Sequence, residues 1–433
     1  MLKFSRRHLL HSSMLTGAGF VAGCKESETT MEPISKPTRP PIALRVLFMG
    51  DLDNGAYIER GWSSVSEHPI EIQTLPLQRD DISSIPEEQL ADAYKKSDVA
   101  IVSLSALSTI YRSELLVPLA SSFSDDSDYL GDLLPAVRNS AASYAGQMIC
   151  LPLGAMQLCF VSSDSVTRPG SWEEYDKLVE SWGGEAAEPT ATGWSAYSFL
   201  CRCAGIRRWL FEGETLRPLL DEQEYVNSLE QMVRTIGRYQ RKNLNPMQIW
   251  SSVSEGDLRG GIAFPSGKMG SNLLLKVHPL PGSAASDRVL LDPFSPVITL
   301  SSACRQTAIA KQFMRWLSGG EGSESVKSQV DGMCDVRMPS IIAQSVDPSK
   351  PVGAYEDFLA KRLSIPITVP SLKLLQGEMY YAILDEKVSL VVSGELSPEQ
   401  GLKQVCEEWE QLTDEIGRED QIRTWKRING MRG

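Results

Sequence analysis

Arg45-Val46-Leu47-Phe48-Met49-Gly50-Asp51 is the stretch on which the fold turns. An apolar run this short, stopped by Gly-Asp, reads as a strand buried on both faces that feeds a loop. Working outward, the pattern predicts a helix over 56–66 and a strand over 70–77, alternating at Ile70, Ile72 and Leu75. A helix over 87–96 and a third buried strand over 98–104 follow. Strand and helix in alternation make an α/β domain with a mainly parallel sheet. Such sheets bind ligands in the loops beyond the strands' C-terminal ends. Here those loops begin at Asp51 and Ser105.

Beyond residue 170 the texture is helical. Ser171-Trp172-Glu173-Glu174 has capping-box spacing and opens a helix to about Trp182; helices over 196–204 and 225–240 follow. Strand-like pieces occupy 261–264, 274–280 and 297–300. Ile309, Phe313, Trp316 and Leu317 form an amphipathic stripe. Ser397-Pro398-Glu399-Gln400 supplies a cap, a proline at the first helical position and a reciprocating glutamine. Behind it Leu402, Val405, Cys406, Trp409, Leu412 and Ile416 hold helical spacing. Residues 418–433 are polar and are expected to fray as a tail.

A chain of 433 residues is too long for one ordinary core, so two lobes are expected. The formal charge of −12 argues against nucleic-acid binding, which needs clustered Lys and Arg. Of four histidines, His8 and His11 lie near the N-terminus, leaving His68 and His278. A His-rich metal site is therefore not expected. No G-x-S-x-G, Walker or G-x-G-x-x-G sequence appears, and neighbouring carboxylates such as Glu173-Glu174 cannot face each other across a glycosidic bond. The reading is a non-enzymatic protein without cofactor or metal.

The N-terminus reads as an address. Met1–Arg7 is basic, a mildly apolar stretch follows to Val21, and it is too short for a permanent membrane span. Val21-Ala22-Gly23-Cys24 resembles the bacterial lipobox, and Ser5-Arg6-Arg7-His8-Leu9-Leu10 resembles a twin-arginine export signal. Residues 1–23 are thus expected to be a signal peptide, Cys24 the lipidation site, and 24–42, rich in Pro, Ser, Thr and Glu, a tether. Seven further cysteines, Cys150, Cys159, Cys201, Cys203, Cys304, Cys334 and Cys406, mostly sit in apolar surroundings and read as buried free thiols.

Several segments, taken in order, resemble the solute-binding proteins of sugar ABC importers, the group that includes maltodextrin-binding proteins. These are 98–105 leading to Leu116-Val117-Pro118-Leu119, and Gly146–Gly154 as a crossover between lobes. Arg168–Glu174, Phe313–Ser318 with Gly332–Pro339, and Leu396–Leu402 complete the set. The resemblance covers roughly residues 45–416. It implies a two-lobed periplasmic-binding-protein-like fold, each lobe a mainly parallel sheet flanked by helices, closing on a ligand by hinge motion. The first lobe would be 43–152 with 294–340, and the second 153–293 with 341–417. It further implies a monomer outside a bacterial membrane on the periplasmic side, held by its lipid anchor. That monomer would deliver a small solute, a carbohydrate above all, to ABC permease subunits. Two other classes stay open: a lipoprotein that presents a solute to a receptor, and a polysaccharide hydrolase.

A sugar offers hydroxyls on its rim and C–H faces, so carboxylates, amides and aromatic rings should hold it. Asp51, Asp53 and Asn54 follow the first strand, with Asx turn chemistry as the competing role. Ser105 and Ser108 follow the third at a helix start. Trp194 is the stacking candidate. Phe264, Ser266 and Lys268 come from the resemblance, as the counterpart of a ligand loop that here lacks its tryptophan. Tyr380 or Tyr381 could reach the rim and Trp62 the cleft, whereas Trp172, Trp316 and Trp409 read as core.

Overall fold

The computed structural model describes residues 41–82, 85–119, 132–163, 166–266, 275–282, 288–319, 323–337 and 353–430. The expected signal peptide, Cys24, nearly all of the tether and Lys268 lie outside these residues. From Ile42 onward the chain is one compact unit containing two principal sheets.

The first sheet has five strands, in the order Ile70–Leu75, Leu44–Met49, Val99–Ser103, Pro296–Leu300 and Cys150–Pro152. Leu44–Met49 is parallel to both of its neighbours, and Pro296–Leu300 enters antiparallel between Val99–Ser103 and Cys150–Pro152. Side chains alternate about the strand plane, so Leu44, Val46 and Phe48 join one hydrophobic cluster while Leu47 and Met49 join another. Both faces are covered, which is why the run lacks polar alternation. On one face Trp62 meets Phe313 and Trp316 edge-on at 5.3 Å each, and the Trp62 indole N–H donates to the His68 carbonyl at 2.7 Å. Trp62 is therefore core.

The second sheet has the order Lys276–His278, Cys159–Ser162, Gly260–Ala263 and Ala186–Ala187. It is mixed rather than mainly parallel. Cys159–Ser162 runs antiparallel to both neighbours, and only Ala186–Ala187 pairs in parallel. Helices connect Ala186–Ala187 to its parallel partner Gly260–Ala263, as a parallel pair requires, while the other neighbouring pairs run antiparallel. Residues 153–158 lead from the first sheet to the second, and residues 291–295 lead back into the first sheet from Val289–Leu290, which pairs with Thr368–Val369 in a small separate sheet. At the first join, a Cβ on Gly154 would stand 1.8 Å from the Gly332 carbonyl oxygen, so the motif's glycine is needed for close approach.

Local signals explain most helix ends, with four differences from the sequence reading. The first helix is Leu52–Ser63, because the Asp51 carboxylate caps it by accepting the Asp53 N–H at 3.0 Å. Ser171 caps as expected, but the Glu174 carboxylate accepts from the Gly170 N–H at 2.6 Å rather than from Ser171. Helix Pro246–Ser254 was not foreseen, although Asn245-Pro246-Met247-Gln248 carries the signature recognised at Ser397-Pro398-Glu399-Gln400. Finally, Arg418–Ile428 is a helix, not a frayed tail. Its Trp425 packs edge-on against Phe211 at 5.3 Å, and buried Gln421 bonds both the Leu375 N–H and its carbonyl. Ile422, Trp425 and Ile428 recur at helical spacing and pack on the core, a short stripe outnumbered in the sequence by the charges around it.

Trp316 and Trp409 are buried as read, and Trp172 lies under the Arg202 guanidinium at 3.9 Å. The seven cysteines among the described residues are free thiols, five of them buried; burial pushes the Cys150 thiol up to about 12. Among the described residues no helix is long and apolar enough to cross a membrane, and no cluster of His, Cys, Asp or Glu has the makings of a metal site.

Candidate functional site

The C-terminal ends of the first sheet's strands open onto a cleft of about 400 Å³ whose opposite wall belongs to the second lobe. Loops supply its polar groups because a strand ending in a buried sheet releases its next residues, with unpaired backbone, at that edge. Gly50 and Asp51 come from the loop after Leu44–Met49 and Asn54 from the first turn of the helix it feeds, Gln78, Arg79 and Asp80 from the loop after Ile70–Leu75, and Ser103 from the end of Val99–Ser103. Trp194, Met247, Phe264, Pro265 and Ser266 face them from the second lobe, and Asp292, Phe294 and Ser295 from the join between sheets. Met49, Met156, Met247 and Met333 complete the lining with flexible, polarizable side chains that fit an irregular ligand face.

The cleft's back wall is built around Trp194, just before helix Ser195–Cys203. Its ring meets Phe264 at 5.6 Å and Tyr197 at 6.5 Å, both edge-to-face. Asp385 fixes the approach by accepting the Gly193 N–H at 2.6 Å and the Ala196 N–H at 2.9 Å. Burial raises the Asp385 carboxyl above the usual range, and those N–H groups hold it down in part. Across the cleft, the Arg79 guanidinium lies 3.9 Å from the centre of the Trp194 ring and 4.4 Å from that of Phe294. It pairs with Asp292 and donates to the Tyr381 hydroxyl at 2.8 Å and the Gly193 carbonyl at 3.2 Å. Burial opposes the charge on Arg79, but the adjacent Asp292 more than offsets this and holds its pKa above the ordinary value. With Arg79 engaged by Asp292, the remaining charged lining groups are the carboxylates of Asp51, Asp80 and Asp331. A wall of acceptors suits a ligand that arrives with donors, such as a polyhydroxylated one.

Of the residues singled out from sequence, the fold brings together Asp51, Asn54, Trp194, Phe264 and Ser266. Asp51 both caps its helix and faces the cleft, so the two roles weighed against each other coexist. Asp53 lies in the first helical turn, outside the lining. Ser105 and Ser108 are buried behind the cleft rather than in it. The chain turns tightly over Leu104–Ala106, where the Leu104 and Ser105 N–H groups are taken by the carbonyls of Ser295 and Pro293 at 3.0 and 2.9 Å. Ser105 Oγ pairs with Ser103 Oγ at 3.0 Å, and Ser108 donates to the Lys373 carbonyl. Tyr380 and Tyr381 are both fully buried and do not reach the rim. Arg79 and Asp292 were missed. The signal for Arg79 was the loop Leu77-Gln78-Arg79-Asp80-Asp81, which ends the second strand just as Gly50-Asp51 ends the first.

No protein-family model and no curated protein sequence matches this chain. Solved structures do. T. maritima MalE3 with bound maltose aligns with a TM-score of 0.61 at 16% identity, over 86% of this chain and 100% of that one. An ABC-transporter solute-binding protein of Agrobacterium radiobacter K84, in complex with ribitol, aligns with a TM-score of 0.66 at 13% identity, over 86% and 98%. One from Agrobacterium vitis S4, with D-mannitol, gives 0.63 at 13%, over 87% and 99%. The fold is that of the two-lobed solute-binding proteins.

Proposed function

We propose that this protein is a non-enzymatic carrier that captures a small polyhydroxylated solute, a sugar or a polyol, between its lobes and hands it to an ABC importer. One observation carries the reading: a cleft of about 400 Å³ lined both by the carboxylates of Asp51, Asp80 and Asp331 and by the Trp194–Phe264 aromatic pair. Carboxylates accept from hydroxyls, aromatic faces cover C–H surface, and the volume lies near the small end of ligand pockets, which run from about 300 to 1,000 Å³. The bound maltose, ribitol and D-mannitol of the structural neighbours are consistent with that chemistry.

The finer reading follows the sequence. The lobes would divide as 43–152 with 294–340 and 153–293 with 341–417, and the lipobox ending at Cys24 would hold a monomer at the outer face of a bacterial membrane. Two acyl chains or more make such an anchor stable where one is marginal.

The test is a thermal-shift and calorimetric panel of ribitol, D-mannitol, maltose and maltotetraose against the domain from residue 40. A solute at 100 times its Kd stabilises the folded state by about 2.7 kcal/mol. Trp194→Ala should then weaken the hit at least tenfold. A panel without a saturable hit, or a hit indifferent to Trp194→Ala, would sink the proposal.

A further inference from the structure

Arg79 belongs to the first lobe, in the loop after strand Ile70–Leu75, yet its head group is bound almost entirely by residues far along the chain. Its partners are separated from it by 114 residues at Gly193, 213 at Asp292 and 302 at Tyr381. Gly193 stands just before helix Ser195–Cys203 and Tyr381 lies in helix Gly377–Ser393; these two helices pack on each other. Asp292 sits on the join between sheets. The side chains of Arg79 and Asp292 are only 12% and 9% exposed.

This receptor is organised for a guanidinium. Trp194 and Phe294 supply ring faces, Asp292 the counter-charge, and the Tyr381 hydroxyl and Gly193 carbonyl accept N–H bonds. The acceptors are themselves held: Tyr381 donates to the Gly193 carbonyl at 2.7 Å, and Asp385 fixes the Gly193 N–H. Backbones also meet here. Gly193 has φ +81°, and a Cβ on it would lie 2.3 Å from the Arg79 carbonyl oxygen. A planar fork with delocalised charge matches stacking faces and paired acceptors in a way that an ammonium does not.

We propose that Arg79 is an internal ligand that latches the two lobes together in the absence of solute, its guanidinium occupying a box that would bind a free guanidinium if the arginine were removed. The latch has a consequence for the solute. Arg79 covers one face of Trp194, so the solute meets the ring's remaining surface and the acidic rim. Opening of the lobes requires withdrawal of Arg79 from the box, which makes the arginine a determinant of how far the empty protein opens. The latch rests on the two-lobed fold and not on what the solute is, so a blank solute panel leaves it standing, and its own failure leaves the carrier reading standing.

Small-angle scattering of the solute-free domain, with thermal unfolding in parallel, tests it. Arg79→Ala should raise the radius of gyration and maximum dimension, and Arg79→Lys should do the same to a lesser degree, because charge without the fork cannot serve both acceptors. Millimolar ethylguanidinium, which replaces the atoms deleted beyond Cβ, should return the Arg79→Ala profile to that of the wild type; ethylammonium should not. If Arg79→Ala does not fold, Arg79→Lys and Tyr381→Phe carry the same scattering test. Scattering profiles identical to wild type in these variants overturn the latch, even if the melting temperature falls. Equal rescue by both cations overturns the guanidinium box.

Discussion

Lys373 offers a sharp test of how the segment behind the cleft is held. Its side chain is 2% exposed, and among the described residues its Nζ donates only to backbone carbonyls, of Ser140 and, at 3.4 Å, of Ser143. Its own carbonyl accepts from Ser108, so this residue fixes the loop that takes Ser105 and Ser108 away from the cleft. Burial without a carboxylate lowers the ammonium from 10.5 to about 8, with Cys150 opposing the fall. A lysine whose folded pKa lies below its unfolded one destabilises the fold in full below the folded value, and the penalty fades as pH rises towards the unfolded value. The drop from 10.5 to about 8 corresponds to roughly 3 kcal/mol. Between about pH 7.5 and pH 10, about 2 kcal/mol of that should be recovered. Buried tyrosines and cysteines titrate oppositely in this range, so the quantity to measure is the difference between the wild type and Lys373→Met. Cys150, pushed up to about 12, stays protonated in both folded proteins throughout. Urea unfolding of both proteins at the two pH values gives that difference. The wild type should gain about 2 kcal/mol on the variant as pH rises. A difference that is the same at both pH values would refute the buried, unpaired ammonium.

Three further outcomes are expected. Gly193→Ala should lower the unfolding temperature by several degrees, because a non-glycine at φ +81° costs roughly 1–2 kcal/mol before the overlap with the Arg79 backbone is added; an unchanged midpoint would mean the two backbones are not in contact. Glu188→Ala should cost roughly 3–5 kcal/mol in urea unfolding, since Glu188 and Arg202 are each 1% exposed and the lone guanidinium would stay buried. A loss below 1 kcal/mol would contradict that burial. Ser397→Ala should cost about 1 kcal/mol by removing the cap of helix Pro398–Ile416, and amide exchange should speed up first in that helix's opening turn.

Much of the scaffold was legible because its causes are local. The apolar run Arg45–Met49 and the alternation at Ile70, Ile72 and Leu75 needed only strand geometry. Ser171 and Ser397 declared their helices because a cap bonds within three residues of itself. The helix after Asn245 was equally legible and was overlooked; in Arg418–Ile428 the spacing of Ile422, Trp425 and Ile428 was legible, but not the partners that Trp425 and Gln421 find at Phe211 and Leu375.

For the site, sequence determined the type of place and the tertiary structure its membership. A strand end followed by a polar loop put Asp51 and Asn54 in view, the search for a stacking ring Trp194, and the resemblance Phe264 and Ser266, and each lines the cleft. Ser105 and Ser108 met the same criterion, yet the join between sheets and the Lys373 segment claimed them first. The loop signal for Arg79 was present and missed, but its pairing with Asp292 became visible only when segments 213 residues apart were brought together. Caps and strand periods are set by neighbours in the chain, so a sequence displays them. A cleft is a set of groups left over after every other contact is made, and that set exists only once the lobes have packed.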